Sequence, residues 1–269
     1  MDVRKLVSEH YGSADLSGAI LGALADAGVQ VDSLRVEDLA PVDQLHAGFA
    51  PATAYLLECL DPQAGTRLLD VGCGIGGPAR LATSSYDVQV TGIDLTPEFI
   101  DAARDLTGRV GLSEKATFEV ASGDALPFAD GSFDNAMLIH VGMNIENKQP
   151  LFSEIRRVLV PGGTFALYEQ MRTGDGELPY PLPWAEDDRS SFLATSEEYA
   201  AHLAAAGFAV ETTENRTMAV AGRPPTASTG HSISPEVIFG PEFPRRIANN
   251  IAATKAGLLG AFVMLARAG

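Results

Sequence analysis

The spacing of apolar positions changes character once along the chain. Over the first sixty residues it is helical: Leu16, Ile20 and Leu24 recur at i, i+4 and i+8, with Ser13 placed as a cap and Gly28 as a stop. A second helix is predicted over 51–60, with Ala54, Leu57 and Leu60 on one face, and Asp61-Pro62-Gln63-Ala64-Gly65 reads as a turn. From Thr66 onward, short apolar runs at 67–71, 88–93, 117–120, 133–139 and 164–168 alternate with helical stretches. That alternation is the pattern of βαβ units around a parallel sheet. The intervening helices have readable ends: Thr96-Pro97-Glu98 starts one, and Pro161-Gly162-Gly163 closes the stripe of Leu151, Ile155 and Leu159. Thr195 with Glu198 forms a capping box, Gly207 ends that helix, and further strands are predicted at 208–212 and 259–266. Two proline-rich stretches, 171–191 and 216–250, follow neither period and are expected to be lids or binding loops. The chain thus divides into a helical N-terminal cap (1–60) and an α/β core (61–269) with lid segments near 171–192 and 216–256.

Composition narrows the partners. At 46% hydrophobic and 20% charged residues, the chain has material for a substantial core. Nineteen basic residues against thirty-five acidic ones give a formal charge of −16. Nucleic acid is therefore not an expected partner, because phosphate neutralisation needs clustered Lys and Arg; an anionic membrane surface is disfavoured for the same reason. The start, Met1-Asp2-Val3-Arg4-Lys5, lacks an apolar signal region, and the stretch 256–266 is shorter than the ~20 residues of a membrane span, so a cytoplasmic protein is expected. Cys59 and Cys73 cannot form a four-thiolate site, and the five histidines show no ligand spacing, so no metal is expected. The oligomeric state, monomer or homodimer, is left open.

The sharpest local signal is Leu68-Leu69-Asp70-Val71-Gly72-Cys73-Gly74-Ile75-Gly76-Gly77, a buried strand entering a glycine turn and then a helix. Glycine permits positive φ and close approach of a ligand, and a helix opening there is expected to direct free N–H groups into the crevice beyond the strand. Gly72, Gly74 and Gly77 satisfy a Gly-x-Gly-x-x-Gly spacing, which allows a dinucleotide. Asp94, 22 residues after Gly72, follows the second strand, where a carboxylate can hold ribose hydroxyls, and Asp124 follows the third, where it can meet an adenine amino group. Asp70 would repel a pyrophosphate but tolerate a cationic amino-acid tail.

On these residues, with Thr91-Gly92-Ile93-Asp94, Gly123-Asp124-Ala125, Gly131-Ser132-Phe133-Asp134 and Leu159-Val160-Pro161-Gly162-Gly163-Thr164, the chain resembles the class I S-adenosylmethionine-dependent methyltransferases over about 66–215. The resemblance implies a doubly wound, Rossmann-like, seven-stranded and mostly parallel sheet whose last strand, antiparallel, is 259–266. It implies S-adenosyl-L-methionine as cofactor, bound by Asp70, Gly72, Cys73, Gly74, Gly77, Asp94, Leu95, Asp124 and Ala125. Asp43-Gln44-Leu45-His46, the run Ile139-His140-Val141-Gly142-Met143-Asn144-Ile145 and Pro181-Leu182-Pro183-Trp184-Ala185 are similar to small-molecule methyltransferases of the tocopherol and sarcosine/dimethylglycine type.

Methyl transfer requires alignment of a nucleophile and exclusion of water, with a base where the acceptor must lose a proton. His140, at the carboxyl edge of the fourth strand, is the candidate base, with a role as pocket wall the open alternative. His46 is the second histidine expected at the acceptor, and Met143, Tyr180 and Trp184 are expected to line an apolar pocket for a small-molecule methyl acceptor. Two rival readings remain: a nicotinamide-dependent oxidoreductase using the same glycines, and a cofactor-binding module without catalysis.

Overall fold

The computed structural model describes residues 15–220 and 235–269. Ser13 and residues 221–234 of the second lid segment lie outside the described residues. Helix α1 (Leu16–Asp26) takes its cap from Asp15, whose carboxylate accepts from Gly18 N at 3.1 Å. Then follow α2 (Val36–Asp43), α3 (Phe49–Leu60), β1 (Arg67–Val71), α4 (Gly77–Tyr86), β2 (Gln89–Asp94), α5 (Pro97–Arg109), β3 (Ala116–Val120) and β4 (Phe133–Ile139). The second half comprises α6 (Lys148–Val158), β5 (Leu159–Arg172), α7 (Ser196–Ala205), β6 (Phe208–Asn215), α8 (Phe243–Lys255) and β7 (Leu259–Ala268).

The seven strands form one sheet in the order β3-β2-β1-β4-β5-β7-β6, and only β7 runs antiparallel to its neighbours. β1 is buried on both faces through Leu68, Leu69 and Val71, which is why it reads as a continuous apolar run without alternation. One face of the sheet packs Phe152, Phe165, Tyr199 and Phe208; the other packs Leu56, Leu57, Leu68 and Val90. The residues expected to form a cap divide between two places. α3 joins the second of these clusters, whereas α1 and α2 pack Ile20, Leu24 and Leu39 against Phe99 and Leu106 of α5.

Three local expectations need correction. Pro161-Gly162-Gly163 lies inside β5, where the pairing with β4 jumps from Phe133↔Leu159 to Asn135↔Thr164; it is a bulge within a strand that starts five residues earlier than the pattern indicates. Thr96 stands at the N-cap of α5 but makes no capping bond with its side chain; Asp94 Oδ1 accepts from Thr96 N at 2.9 Å instead. Within the second unpatterned segment lies a full helix, α8, obscured because it buries little besides Arg246 and Ala253. The Thr195–Glu198 capping box is present, with both reciprocal bonds. No described helix is long and apolar enough to cross a membrane.

Strand order reverses between β1 and β4, and in open α/β sheets that reversal opens a crevice at the carboxyl ends of the strands. One buried cation fixes its rear wall. Arg80 on α4 has no solvent exposure; its guanidinium donates to Asp43 Oδ2 (2.9 Å) at the end of α2, to Ile75 O (2.8 Å) in the glycine turn and to Thr107 Oγ1 (3.0 Å) on α5. Removing one member of a buried pair costs about 3–5 kcal/mol, because the other charge is left unmatched. Arg80→Met is therefore expected to lower the free energy of unfolding in urea by that amount, and Arg80→Met/Asp43→Leu to recover most of it; equal stability of single and double variants would remove the pair from this role.

Candidate active site

The glycine turn between β1 and α4 is shaped by contacts on every side. Gly72, at φ +75°, faces Val141, whose Cγ2 would lie 2.2 Å from an added Cβ; a Cβ at Gly77 would lie 2.2 Å from Asp43 O. Gly74 has φ +53° and near neighbours only at Leu45 Cδ1, 3.6 Å from an added Cβ, so it is the glycine that faces open space. Four N–H groups of the turn are engaged within the protein. Gly72 N and Cys73 N donate to Ile93 O (2.8 and 2.9 Å), Gly74 N to Asp94 Oδ2 (3.0 Å) and Gly76 N to Cys73 O (2.9 Å). A pyrophosphate would find these four donors already spent, which counts against the dinucleotide reading.

A cavity of about 1130 Å³ opens in front of this turn. Gly72, Cys73, Gly74, Asp94, Leu95 and Asp124 line one end of it. His46, His140, Met143 and Trp184 also line it. Four predicted residues do not. Asp70 is buried behind the wall, Gly77 packs on Asp43, Ala125 closes a tight turn by donating to Ser122 O (3.1 Å), and Tyr180 packs beside Leu182 and Trp184 in a satellite apolar cluster.

Electrostatics at the turn favour a cation. Asp70 Oδ2 is buried without a hydrogen-bond partner among the described residues, and burial together with the charge of Asp94 pushes its pKa up to about 8. Burial also raises Asp94, against the opposing pull of the Thr96 and Gly74 amides. Two neighbouring acids that resist ionisation, beside a crevice bare at Gly74, fit a positively charged sulfonium with an ammonium tail. The cofactor implied by the motifs therefore suits the residues present.

The two histidines meet across the cavity, with ring centroids 5.7 Å apart, and Tyr168 lies 4.9 Å from His140 and 5.8 Å from His46. Both nitrogens of His46 are engaged: Nδ1 with Ala47 O (3.2 Å), Nε2 with Thr53 Oγ1 (2.8 Å) and Gln44 Oε1 (3.3 Å). His140 Nε2, by contrast, is buried and unpartnered among the described residues. Burial lowers His46 to about 4, and burial with the proximity of His46 holds His140 well below the usual imidazole value, so both rings are neutral at pH 7.

His140 is held at φ +55°, a left-handed conformation uncommon outside glycine and asparagine, and Glu169 explains how. This fully buried acid on β5 accepts from Val141 N (2.7 Å) and Gly142 N (3.1 Å) through Oε1 and from Tyr199 OH (3.1 Å) through Oε2. Sequence reading missed it because the strand was ended at 168; an acid within the apolar run Phe165–Met171 was the available signal. Burial raises Glu169 to about 7 from 4.5. Between those values the folded state binds a proton that the unfolded state has released, so its contribution makes stability fall as pH rises from about 4.5 to 7. Glu169→Gln, which keeps an acceptor for both amides, is expected to flatten that part of the pH–stability curve. Glu169→Ala should cost roughly 2–5 kcal/mol by orphaning two N–H groups, measured by urea unfolding.

Comparison with known proteins places this geometry. Residues 69–167 match the family model described as a methyltransferase domain. Sterol 24-C-methyltransferase ERG6B of Gibberella zeae is 37% identical over 119 residues, 44% of this chain and 31% of that protein. The 2-methyl-6-phytyl-1,4-hydroquinone methyltransferase of Synechocystis is 37% identical over 123 residues, 46% and 37% of the two chains. The chain thus spans about a third of the length of these curated relatives. Among solved structures, the [4+2]-cyclase SpnF superposes with a TM-score of 0.69 at 24% identity, covering 98% of this chain and 96% of its own, a likeness of fold. Residues 69–167 match a methyltransferase domain, and the curated relatives that share this region are methyltransferases.

Proposed function

We propose that this protein transfers the methyl group of S-adenosylmethionine to a small-molecule acceptor. The observation that carries the reading is one continuous cavity lined by Asp94, Asp124, the glycine turn and His140, whose Nε2 has no hydrogen-bond partner among the described residues. Its volume, about 1130 Å³, exceeds the ~300–1000 Å³ of ordinary ligand pockets and accommodates two small molecules side by side.

In this reading Asp94 holds the ribose hydroxyls with the lone pairs that Gly74 N and Thr96 N leave free. Asp124 edges the adenine, and a cationic ligand in front of the turn would bring down the raised pKa of Asp70 behind it. When bound, the cofactor supplies an electrophilic methyl on a cationic sulfur, a leaving group that needs no acid. The acceptor is oriented by His140 and His46 and screened from water by Met143 and Trp184. As the acceptor atom gains the methyl group, His140 Nε2 would accept its proton. His46, pinned by Thr53, Gln44 and Ala47, shapes the wall beside His140, which burial keeps unprotonated.

Asp94→Ala is expected to weaken S-adenosylhomocysteine binding about tenfold or more, read by isothermal titration, since hydrogen bonds to a charged group are lost. His140→Asn, which tolerates the left-handed backbone, should lower kcat about 10²-fold or more with cofactor affinity unchanged. In the native enzyme the limb of kcat/KM due to His140 should lie well below pH 6.5, because only its neutral form accepts a proton. Cofactor binding without methyl transfer to any acceptor in a radiolabelled-methyl screen would leave only the non-catalytic reading.

A further inference from the structure

Helix α8 presents two different stripes. Phe243, Ile247, Asn250, Ile251 and Thr254 line the cavity, at i, i+4, i+7, i+8 and i+11, which places them on one side of the helix. Arg246, Asn249 and Ala253 form the neighbouring stripe, and this one grips the protein. Arg246 donates to Leu182 O (3.0 Å) and pairs with Glu186, Asn249 donates to Pro181 O (2.9 Å), and Ala253 packs with Met143, Leu182 and Trp184. The 181–186 loop is tied in turn to the chain after His140 by Asn144, which donates to Trp184 O (2.9 Å). The clamp fixes the rotation of α8, and with it the side chains offered to the cavity.

Two of those side chains are apolar and left uncovered by the described residues. Ile251 is 42% exposed and Ile247 is half-buried, and neither joins any of the apolar clusters that the described residues form. A single exposed isoleucine needs no explanation. Val120 and Met218, the other large apolar residues exposed among the described ones, do not line the cavity. Ile247 and Ile251 lie one helical turn apart on the wall of a cavity that Met143, Trp184 and Val220 also line. Together they make an apolar surface of the kind that binds the body of a ligand.

Strand order indicates which ligand. Gly72, Asp94 and Asp124, proposed for the cofactor, follow β1, β2 and β3, which make up one half of the sheet. Helix α8 packs through Ala253 on Leu259 of β7, in the other half, and His140 follows β4 between the two. A molecule lying against Ile247 and Ile251 is therefore on the acceptor's side of His140.

We infer that Ile247 and Ile251 are specificity-determining residues: the acceptor carries an alkyl or aromatic body that reaches α8, and these two side chains set the length admitted. The inference rests on the methyltransferase reading in naming that molecule an acceptor. 4-Alkylphenols from ethyl to octyl, alike in head group and differing in chain length, test it by isothermal titration with and without S-adenosylhomocysteine. Affinity for the native protein is expected to rise about threefold per methylene up to the length that fills the space under α8. Ile247→Ser and Ile251→Ser should each weaken the tightest-binding probe about fivefold or more, while leaving the ethyl probe and S-adenosylhomocysteine within about twofold of native. Ile251→Trp should end the rise at a shorter chain. Val120→Ser, which removes an exposed apolar side chain from β3 outside the cavity, should change nothing and so separates cavity binding from adsorption. Should Ile247→Ser fail to fold, the exposed Ile251 carries the test, since its replacement leaves no void in the core. Affinity independent of chain length in the native protein, no binding of any probe, a series unaltered in either Ile251 variant, or an equal loss in Val120→Ser overturns the inference. Native protein that binds no S-adenosylhomocysteine would instead defeat the cofactor reading, and the series run without it would still decide the role of α8.

Discussion

A guanidinium without contact to water organises this molecule. Arg80 links the end of α2, the glycine turn and α5, so the loop that shapes the cofactor crevice is braced from behind by three elements distant in sequence. Gly77 is part of the same construction: without a Cβ, α4 can approach the Asp43 carbonyl closely enough for the ion pair to form. The N-terminal helices are thus a structural part of the site. They also deliver Gln44, Leu45 and His46 to the cavity immediately after the braced residue.

On the front of the turn, selectivity arises from spending donors and keeping acids. Four amides of the turn are consumed by Ile93, Asp94 and Cys73, while burial, with the charge of Asp94 beside it, raises the pKa of Asp70. In the proposed reading the same glycine spacing takes a cationic ligand, because the carboxyl groups at the strand ends ionise more readily once a cation lies beside them. Function is therefore carried by the residues around the motif more than by the motif.

The parts of this arrangement that are local in sequence were legible there. β1 and β4 were placed to the residue, and the glycine turn, Asp94 and His140 stand at strand ends, where a short pattern suffices to locate them. What escaped depends on contacts between remote segments. Glu169 belongs to a strand that continues past the point where apolar residues thin out, and its value appears only when Val141 and Tyr199 are beside it. The helix bearing Ile247 and Ile251 buries too few side chains to show a period. Tyr180, chosen as an aromatic near Trp184, turned into a satellite cluster, a choice of side that proximity in sequence does not decide. Arg80 gave no signal at all, since an arginine on a helix is ordinarily a surface residue.

The clamp between α8 and the 181–186 loop has a consequence for how such a chamber diversifies. Two stretches separated by some sixty residues in sequence are joined through Arg246 and Asn249 into one roof, whereas the floor, with His140, is locked to β4 and β5 through Glu169. Changes confined to either stretch alone break the bracket between them. Grafts that exchange both together should retune which molecules are admitted without disturbing the chemistry beneath, making the roof a cassette and the floor an invariant chassis.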